Sequence, residues 1–204
     1  MYRVETGSNQ IFRYDNVLRP DICKEICDLL IESKGDHLTS LSQSDRVPWN
    51  DNDVCNFRDI KNLELKAKIN EYRHLAKNLA MVIFKSIVFI DYTDLVVWRT
   101  GKAQNRHKDN GYVNDSPLRS RKFTCITYLN DDFEGGRTFI KTERGDDYIS
   151  DPRTGSAVFF YSDDRCEHGV TKVENGIRMT LPIWFCTDYS SSEEARDSKI
   201  AIQA

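Results

Sequence analysis

The sequence predicts an α+β domain in which two helices come first and an all-β sandwich or jelly roll follows. Apolar residues recur every three or four positions in two stretches of the first 86 residues, which is the spacing of a helix. From residue 87 onward, short runs rich in β-branched and aromatic residues alternate with turn residues. The 204 residues fit one domain with a sizeable core, so the helices are expected to pack on one face of a sheet.

The two helices are predicted within residues 1–86, which are expected to act mainly as helical support. Asp21 stands at the start of the first helix, and Gly35 offers a C-terminal stop. The apolar stripe of this helix consists of Ile22, Cys23, Ile26, Leu29 and Leu30. The stripe of the second, longer helix consists of Leu65, Ile69, Tyr72, Ala76, Leu79 and Ile83.

Residues 87–188 are predicted to form the β core. Their eight candidate strands, in chain order, are IVFI, LVVW, FTCITYL, RTFI, YIS, SAVFFY, VTKV and IRMTLPIWF. Gly, Pro, Asn and Asp separate these runs, as expected for turns. Many short strands with regular turns are typical of a sandwich or jelly roll. Residues 189–204 are polar and are expected to form a tail, either frayed or a short surface helix.

Composition and charge limit the partners that this chain can have. The net charge of −3 gives no overall attraction for nucleic acid or an anionic membrane, and no apolar run approaches the roughly 20 residues that span a bilayer. The N-terminal residues MYRVETGSNQIFRY lack the basic and apolar regions of a signal peptide, so a cytoplasmic location is expected. The six cysteines are accordingly predicted to be free thiols in a reducing compartment.

Two histidines of the β half form, with one aspartate, the pattern of a metal site. His107 and Asp109 are two residues apart, so on an extended chain they project from the same face. His168 can supply a third ligand from a later strand. Two histidines and one carboxylate leave open positions for a chelating cosubstrate and O₂, as in the facial triad of non-haem Fe(II) sites. Zinc fits less well, because the sequence identifies no additional water-activating carboxylate or cysteine.

Arg178 is the candidate anchor for the far end of such a cosubstrate. It lies ten residues after His168, so a short hairpin would bring a fixed positive charge near the metal. A guanidinium can bind a carboxylate through two parallel hydrogen bonds. The neighbours Ile177, Met179 and Leu181 indicate a largely buried strand, which argues against a surface role for Arg178.

Further motifs surround these residues in a fixed order. The run LVVWRTG leads into H-K-D, and FTCITYLNDDFEGGRTFI contains a strand followed by Y-L-N, G-G and T-F. PRTGSAVFFYSD contains P-x-x-G-x-x-x-x-F, and HGVTKVENGIRMTLPIWF joins a distal histidine to a basic residue and an aromatic strand. With these motifs, residues from about 90 to 188 resemble the 2-oxoglutarate/Fe(II) dioxygenases of the prolyl hydroxylase family. The leprecan-type prolyl 3-hydroxylases match better than the prolyl 4-hydroxylases.

The resemblance implies a fold, a metal and a cosubstrate. The fold is a double-stranded β-helix, or jelly roll, with the N-terminal helices packed on one sheet. The implied metal is Fe(2+), bound by His107, Asp109 and His168. The implied cosubstrates are 2-oxoglutarate and O₂, with ascorbate (L-ascorbic acid) in a supporting role.

The resemblance also implies roles for residues that do not bind the metal. Arg178 is expected to bind the distal carboxylate of 2-oxoglutarate, with Thr180 as a second, hydroxyl contact. Tyr128 is interpreted either as a cosubstrate contact or as a core aromatic residue. Trp184 could border the substrate pocket, although core packing is the more common role for such a residue.

The implied activity is hydroxylation of a peptidyl proline, with 2-oxoglutarate decarboxylated to succinate and CO₂. The implied partner is a protein or peptide, proline-rich in the simplest case, and neither membrane nor nucleic acid is expected. Prolyl 4-hydroxylases usually have Tyr, Gln and Tyr where this chain has Trp98, Lys102 and Gln104, and commonly Lys in place of Arg178. Hydroxylation of lysine, a free amino acid or a nucleobase therefore stays open, as does a catalytically idle binding module.

Two loops are candidates for contact with a substrate. Residues 36–60 could close over the cleft as a lid, an idea that loop length alone supports. Residues 110–122 follow the metal pair directly and contain Arg119, Arg121 and Lys122. This basic cluster is interpreted either as a solvated loop or as a surface that prefers a peptide with acidic flanks.

Overall fold

The computed structural model describes residues 1–32, 53–111 and 117–203. Its helices are α1 (Pro20–Glu32), α2 (Leu63–Phe84) and α3 (Glu193–Gln203). The first strands are β1 (Tyr2–Val4), β2 (Ile11–Asp15), β3 (Asp53–Asn56), β4 (Phe89–Arg99), β5 (Gln104–His107) and β6 (Arg121–Tyr128). The later strands are β7 (Glu134–Gly135), β8 (Thr138–Lys141), β9 (Asp147–Ile149), β10 (Ala157–Tyr161), β11 (His168–Val170), β12 (Val173–Asn175) and β13 (Ile177–Cys186). The helix stop at Gly35 and most of the predicted lid, residues 36–52, lie outside the described residues.

Two antiparallel sheets form the body of the fold. The larger sheet has the strand order β1-β2-β10-β6-β13-β4-β3, the smaller has β5-β11-β8-β9, and β7 pairs separately with β12. An apolar cluster joins the facing surfaces of the sheets, with Ile126, Val158 and Phe160 from the larger sheet and Ile140 from the smaller. The predicted α+β class, in which short strands form a sandwich, is confirmed.

Helices α1 and α2 pack on the outer face of the larger sheet. Ile26 of α1 and Ile69 of α2 belong to the same buried cluster as Leu181 of β13. Burial of one such side chain contributes roughly 1.5–3 kcal/mol, so this cluster holds the helices on the sheet. Because side chains alternate along a strand, the neighbours of Leu181 at Thr180 and Pro182 face the smaller sheet. In the described part of the chain, no helix has the length and apolar character needed to cross a membrane.

The first third of the chain contains more strand than the sequence predicts. β1 and β2 extend the larger sheet beside β10, and β3 pairs with β4 at the opposite edge. The run IFRYD of β2 does not look like a strand because polar residues occupy inward positions. Arg13 and Asp15 are both buried there, with Nε and Oδ1 2.8 Å apart. Residues 1–86 therefore supply sheet edges as well as helical support.

The predicted tail contains α3, which is anchored by charged contacts. Glu193 forms a buried ion pair with Arg73 of α2, and the Arg73 guanidinium lies 3.6 Å from the ring centroid of Phe57. Arg196 donates a hydrogen bond of 2.9 Å to Asp91 of β4. Removing one partner of a buried ion pair leaves an uncompensated charge. Helix α3 is therefore an integral part of the folded domain.

Gly155, just before β10, packs against the segment that connects β2 to α1. Its φ is +77°, and a Cβ at this position would lie 2.0 Å from the carbonyl oxygen of Leu18. The carbonyl oxygen of Gly155 accepts hydrogen bonds from the amides of Val17 and Leu18, at 2.9 and 3.1 Å. Gly145 has a similar φ of +87° but nothing within 4 Å of its Cβ position, which makes it a matched control.

We expect Gly145→Ala to lower the free energy of unfolding by about 1–2 kcal/mol, through left-handed backbone strain alone. Gly155→Ala should lower it by at least about 2 kcal/mol more, because the Leu18 carbonyl must also move. Urea unfolding followed by circular dichroism measures both losses. Equal losses in the two variants would contradict a role for close backbone approach at Gly155.

Candidate metal centre

The two predicted histidine ligands lie on neighbouring strands of the smaller sheet. β5 ends at His107 and β11 begins at His168, and the antiparallel register places these two residues opposite each other. Asp109 follows His107 after one intervening residue, so its side chain returns to the same side of the chain. Pairing of two strands that are distant in sequence therefore assembles the cluster.

The three side chains converge on a common point. Nε2 of His107 lies 3.5 Å from Oδ1 of Asp109, and Nε2 of His168 lies 3.6 Å from Oδ2 of the same carboxylate. One ligand atom from each residue lies within 4.8 Å of the other two. Within the described ranges, no other group of three His, Cys, Asp or Glu side chains is arranged to hold a metal ion.

Backbone carbonyls set the orientation of both imidazoles. Nδ1 of His107 lies 3.0 Å from the carbonyl oxygen of Asn105, and Nδ1 of His168 lies 3.1 Å from that of Cys166. A carbonyl oxygen can only accept, so each Nδ1 carries a proton and donates it. In its neutral form, each ring therefore presents the lone pair of Nε2 to the centre, which is the arrangement a metal ligand needs.

Burial and nearby charges shift the pKa values of all three residues of this donor set. Asp109 and His168 are only 1% and 3% exposed. Burial alone would raise the pKa of Asp109, but the two histidines and Arg121 outweigh it and hold this pKa below its usual range. Burial lowers the pKa of His168 to about 4, whereas at His107 the contact with Asp109 outweighs burial and raises the pKa. A carboxylate with two imidazoles is the donor set of non-haem Fe(II) triads, so the residues fit the predicted ion.

Arg178 lies on β13 in the interior between the sheets and is 1% exposed. Its Nη2 donates a 3.1 Å hydrogen bond to Oγ1 of Thr138, whereas its Nε has no partner among the described residues. Burial lowers its pKa, and no carboxylate of the described ranges compensates for that burial. The indole nitrogen of Trp98, opposite Arg178 in the register, is a second buried donor without a described partner. Two unpaired donors, one of them charged, fit a carboxylate ligand.

Thr138 is a residue of this region that sequence reasoning missed. Its Oγ1 accepts hydrogen bonds from the Tyr128 hydroxyl at 2.7 Å and from Arg178. A threonine hydroxyl has two acceptor sites and one proton, so its own proton stays available for a ligand. The T-F motif after G-G includes Thr138, but a motif by itself does not indicate which side chains its threonine contacts.

The other predicted cosubstrate residues face the same interior. Tyr128 is fully buried, and its ring centroid lies 5.3 Å from the Arg178 guanidinium, so it is a core residue that also forms a wall beside Arg178. Thr180 is buried and lies opposite Tyr128 in the register of β13 and β6. Trp184 lies further along β13, half-buried, with the Arg121 guanidinium 4.3 Å from its ring centroid. The chemical roles of these residues remain predictions.

The basic cluster predicted within residues 110–122 does not act as one surface. Arg121 is the first residue of β6 and is buried, with its Nε 3.1 Å from Oδ2 of Asp91. Arg119 and Lys122 are exposed, and residues 112–116 lie outside the described part of the chain. Neither interpretation applies to Arg121, because alternation along β6 turns its side chain inward, where it contacts Asp91 of β4. For Arg119 and Lys122 both interpretations stay predictions.

Comparison with known proteins identifies the β half. The model of the 2OG-Fe(II) oxygenase superfamily matches residues 93–186. Prolyl 3-hydroxylase 1 of Gallus gallus is 33% identical over 113 residues, which cover 47% of this chain and 15% of that protein. Prolyl 3-hydroxylase 2 of Homo sapiens is 37% identical over 71 residues, covering 33% and 10%. The chain therefore spans a small part, 15% or less, of the length of these relatives.

Solved structures share the fold over most of the chain. A prolyl-4-hydroxylase of Pseudomonas putida has a TM-score of 0.68 at 16% identity, covering 88% of this chain and 93% of its own. A prolyl hydroxylase of Trichoplax adhaerens, in complex with a peptide fragment of the hypoxia inducible factor oxygen degradation domain, has a TM-score of 0.69 at 17% identity. Its match covers 89% of this chain and 85% of its own. These neighbours confirm the predicted jelly roll.

The three predicted ligands and Arg178 all fall within the matched residues 93–186. The resemblance inferred from the motifs is confirmed by the family match and by the prolyl 3-hydroxylase relatives. Residues 93–186 of this chain thus match the 2OG-Fe(II) oxygenase superfamily, and the relatives of the chain include prolyl 3-hydroxylases.

Proposed function

We propose that this chain is an Fe(II)- and 2-oxoglutarate-dependent dioxygenase that hydroxylates a prolyl residue within a peptide. The observation that carries the proposal is the convergence of His107, Asp109 and His168 in the interior that also buries Arg178. The Nε of Arg178 has no described hydrogen-bond partner. The match of residues 93–186 to the oxygenase superfamily supports the chemistry, and the prolyl hydroxylases among the relatives support the substrate class.

The metal is held by one charged and two neutral ligands in this proposal. Asp109 offsets part of the charge of the ion, while both histidines bind through Nε2 because their Nδ1 protons are engaged by carbonyls. Fe(II) with bound 2-oxoglutarate and O₂ supplies the oxidative decarboxylation that yields succinate and CO₂ and places one oxygen atom in a substrate C–H bond. The three ligands occupy one side of the site and leave the other side to the cosubstrate.

Arg178 fixes the orientation of the cosubstrate. Its guanidinium binds the distal carboxylate of 2-oxoglutarate, and the hydroxyl group of Thr138 is a second hydrogen-bond donor to that carboxylate. Burial of Arg178 excludes water from this end, which strengthens the charge-assisted bond. The packed aromatic rings of Trp98 and Tyr128 restrict the space around the guanidinium to a small ligand.

The substrate is proposed to be a peptide. A proline-rich segment is already extended and loses little conformational entropy on binding in a groove. One structural neighbour is a prolyl hydroxylase in complex with a peptide, which supports a peptide-sized cleft in this fold. Half-buried Trp184 lies opposite Thr124 in the register of β13 and β6, and its ring is proposed to contact such a substrate. Ascorbate is the proposed supporting reductant.

We expect His107→Ala and His168→Ala each to lower Fe(II)-dependent succinate formation by more than about 100-fold, because a direct ligand is lost. His74→Ala is the matched control, since His74 is exposed on α2. Asp109→Ala is a weaker test, because an anion from solution can fill the gap. Succinate release measures turnover, and circular dichroism verifies the fold. Full activity in either histidine variant would refute the metal assignment.

Arg178→Ala should raise the 2-oxoglutarate concentration for half-maximal turnover about 10- to 100-fold, through loss of one charge-assisted contact. The Fe(II) requirement should change far less, because Arg178 does not belong to the ligand cluster. Arg137→Ala and Lys172→Ala replace exposed cations and serve as comparisons. If Arg137→Ala or Lys172→Ala raises the 2-oxoglutarate requirement and Arg178→Ala does not, the assignment of Arg178 is wrong.

Mass spectrometry of peptide panels, incubated with the chain, Fe(II), 2-oxoglutarate and ascorbate, tests the substrate. We expect a gain of one oxygen atom on proline within a peptide and none on free proline. Fragmentation and amino-acid analysis then distinguish the C3 from the C4 product. A gain confined to lysine, a free amino acid or a nucleobase would refute the prolyl assignment and leave the iron chemistry intact. Metal binding without any 2-oxoglutarate turnover would instead indicate a binding module.

A further inference from the structure

We infer that Thr124 is a positioning residue of the metal site, whose hydroxyl occupies Oδ2 of Asp109 and leaves Oδ1 as the oxygen that binds the ion. The inference rests on the metal site proposed above and adds to it a residue that is not itself a ligand. The contacts that support it come from Thr124 on β6 and from Ser162, which follows β10.

The contact between Thr124 and the ligand is short and buried. Oγ1 of Thr124 donates a hydrogen bond of 2.6 Å to Oδ2 of Asp109. Both residues are 1% exposed, so bulk water does not compete for either group. Hydrogen bonds from a hydroxyl to an ionised carboxylate are about twice as strong as neutral ones. Thr124 is therefore well placed to fix the rotation of the Asp109 carboxylate.

Ser162, just beyond the end of β10, in turn fixes the Thr124 hydroxyl. The two side-chain oxygens lie 2.8 Å apart, and Ser162 is fully buried. Thr124 has a single hydroxyl proton, which it donates in the hydrogen bond to Asp109. Ser162 must therefore be the donor in the second hydrogen bond. The carbonyl oxygen of Ser162 also accepts a 3.0 Å hydrogen bond from the amide of Asn110, which follows Asp109 in the chain. Ser162 thus holds both the backbone beside the ligand and the hydroxyl that contacts it.

The two oxygens of Asp109 are therefore unequal. Oδ1 faces Nε2 of His107 and Oδ2 faces Nε2 of His168, at nearly equal distances of 3.5 and 3.6 Å. Only Oδ2 also accepts the Thr124 hydroxyl bond, which reduces its capacity to donate to a metal. A carboxylate held in this way binds through one oxygen, and the remaining positions stay open for cosubstrate and O₂.

Titration of the metal-free chain with Co(II) tests the inference, because the visible spectrum reports both affinity and ligand arrangement. Thr124→Val removes the hydroxyl at nearly constant volume and should weaken Co(II) binding about 10- to 100-fold. It should also shift the visible bands, since the freed carboxylate can rotate. Thr124→Ser keeps the hydroxyl and should restore both properties. Ser162→Ala keeps the Thr124 hydroxyl but removes its donor, so a smaller loss and a smaller band shift are expected.

The His168→Ala variant separates this inference from the metal site itself. If the wild type binds Co(II) and His168→Ala does not, the site stands. Thr124→Val within about threefold of the wild type, with unchanged bands, would then overturn the inference alone, since the expected loss is larger. If the wild type binds no Co(II), the proposed site and the inference both fail. Should circular dichroism show Thr124→Val to be unfolded, unchanged affinity and bands in Ser162→Ala would overturn the inference.

Discussion

One buried carboxylate between two imidazoles is the constraint on which the site depends. Asp109 has lost almost all contact with solvent, and an ionised group in such a position is stable only if its surroundings replace the lost hydration. The hydroxyl of Thr124 supplies one hydrogen bond, and a cation held between Asp109 and the Nε2 atoms of His107 and His168 would supply the rest. Each of these partners lies on a different strand, so the carboxylate depends on the pairing of β5 with β11 and on the packing of the two sheets.

A second buried charge of opposite sign lies in the same interior. Arg178 has no described counter-ion, and its Nε and the Trp98 Nε1 both lack a described partner. Unsatisfied buried donors are uncommon in folded proteins and call for an explanation. The anionic end around Asp109 suits a cation, and the cationic end around Arg178 suits an anion. The polar interior is therefore complementary to a metal ion together with a dicarboxylate. The apolar cluster under the helices stabilises the fold and offsets the cost of burying these charges.

Charged contacts outside the site connect it to the C-terminal helix. Arg121 contributes to the low pKa of Asp109, and its own position is set by the ion pair with Asp91. Asp91 also accepts a hydrogen bond from Arg196 of α3. The Arg121 guanidinium in addition lies against the ring of Trp184. Docking of α3 therefore helps to determine both the electrostatic environment of Asp109 and the orientation of an aromatic residue beside the proposed substrate position.

Local features of the sequence determined the helices, most of the β core and the three ligand candidates. The H-x-D spacing places His107 and Asp109 on one face of an extended chain whatever the rest of the fold does, because this alternation is a property of the backbone. The spacing of His168 and Arg178 suggested a short hairpin, which is wrong, because β11 and β13 lie in different sheets with β12 between them in the chain. Apolar periodicity was sufficient for α1 and α2, because helix-forming contacts are close in sequence.

Only the tertiary structure showed which polar side chains turn inward and what they meet there. Arg13 occupies an inward position of β2 and so obscures the alternation of a strand, and the sequence places Arg121 in a basic cluster although its side chain is buried against Asp91. No local feature of the sequence indicates which groups the hydroxyls of Thr138, Thr124 and Ser162 contact. A hydroxyl or a guanidinium can be buried only where a partner from another strand satisfies it. Such partners are distant in sequence, so strand order and register select them, and spacing along the chain contains no information about either.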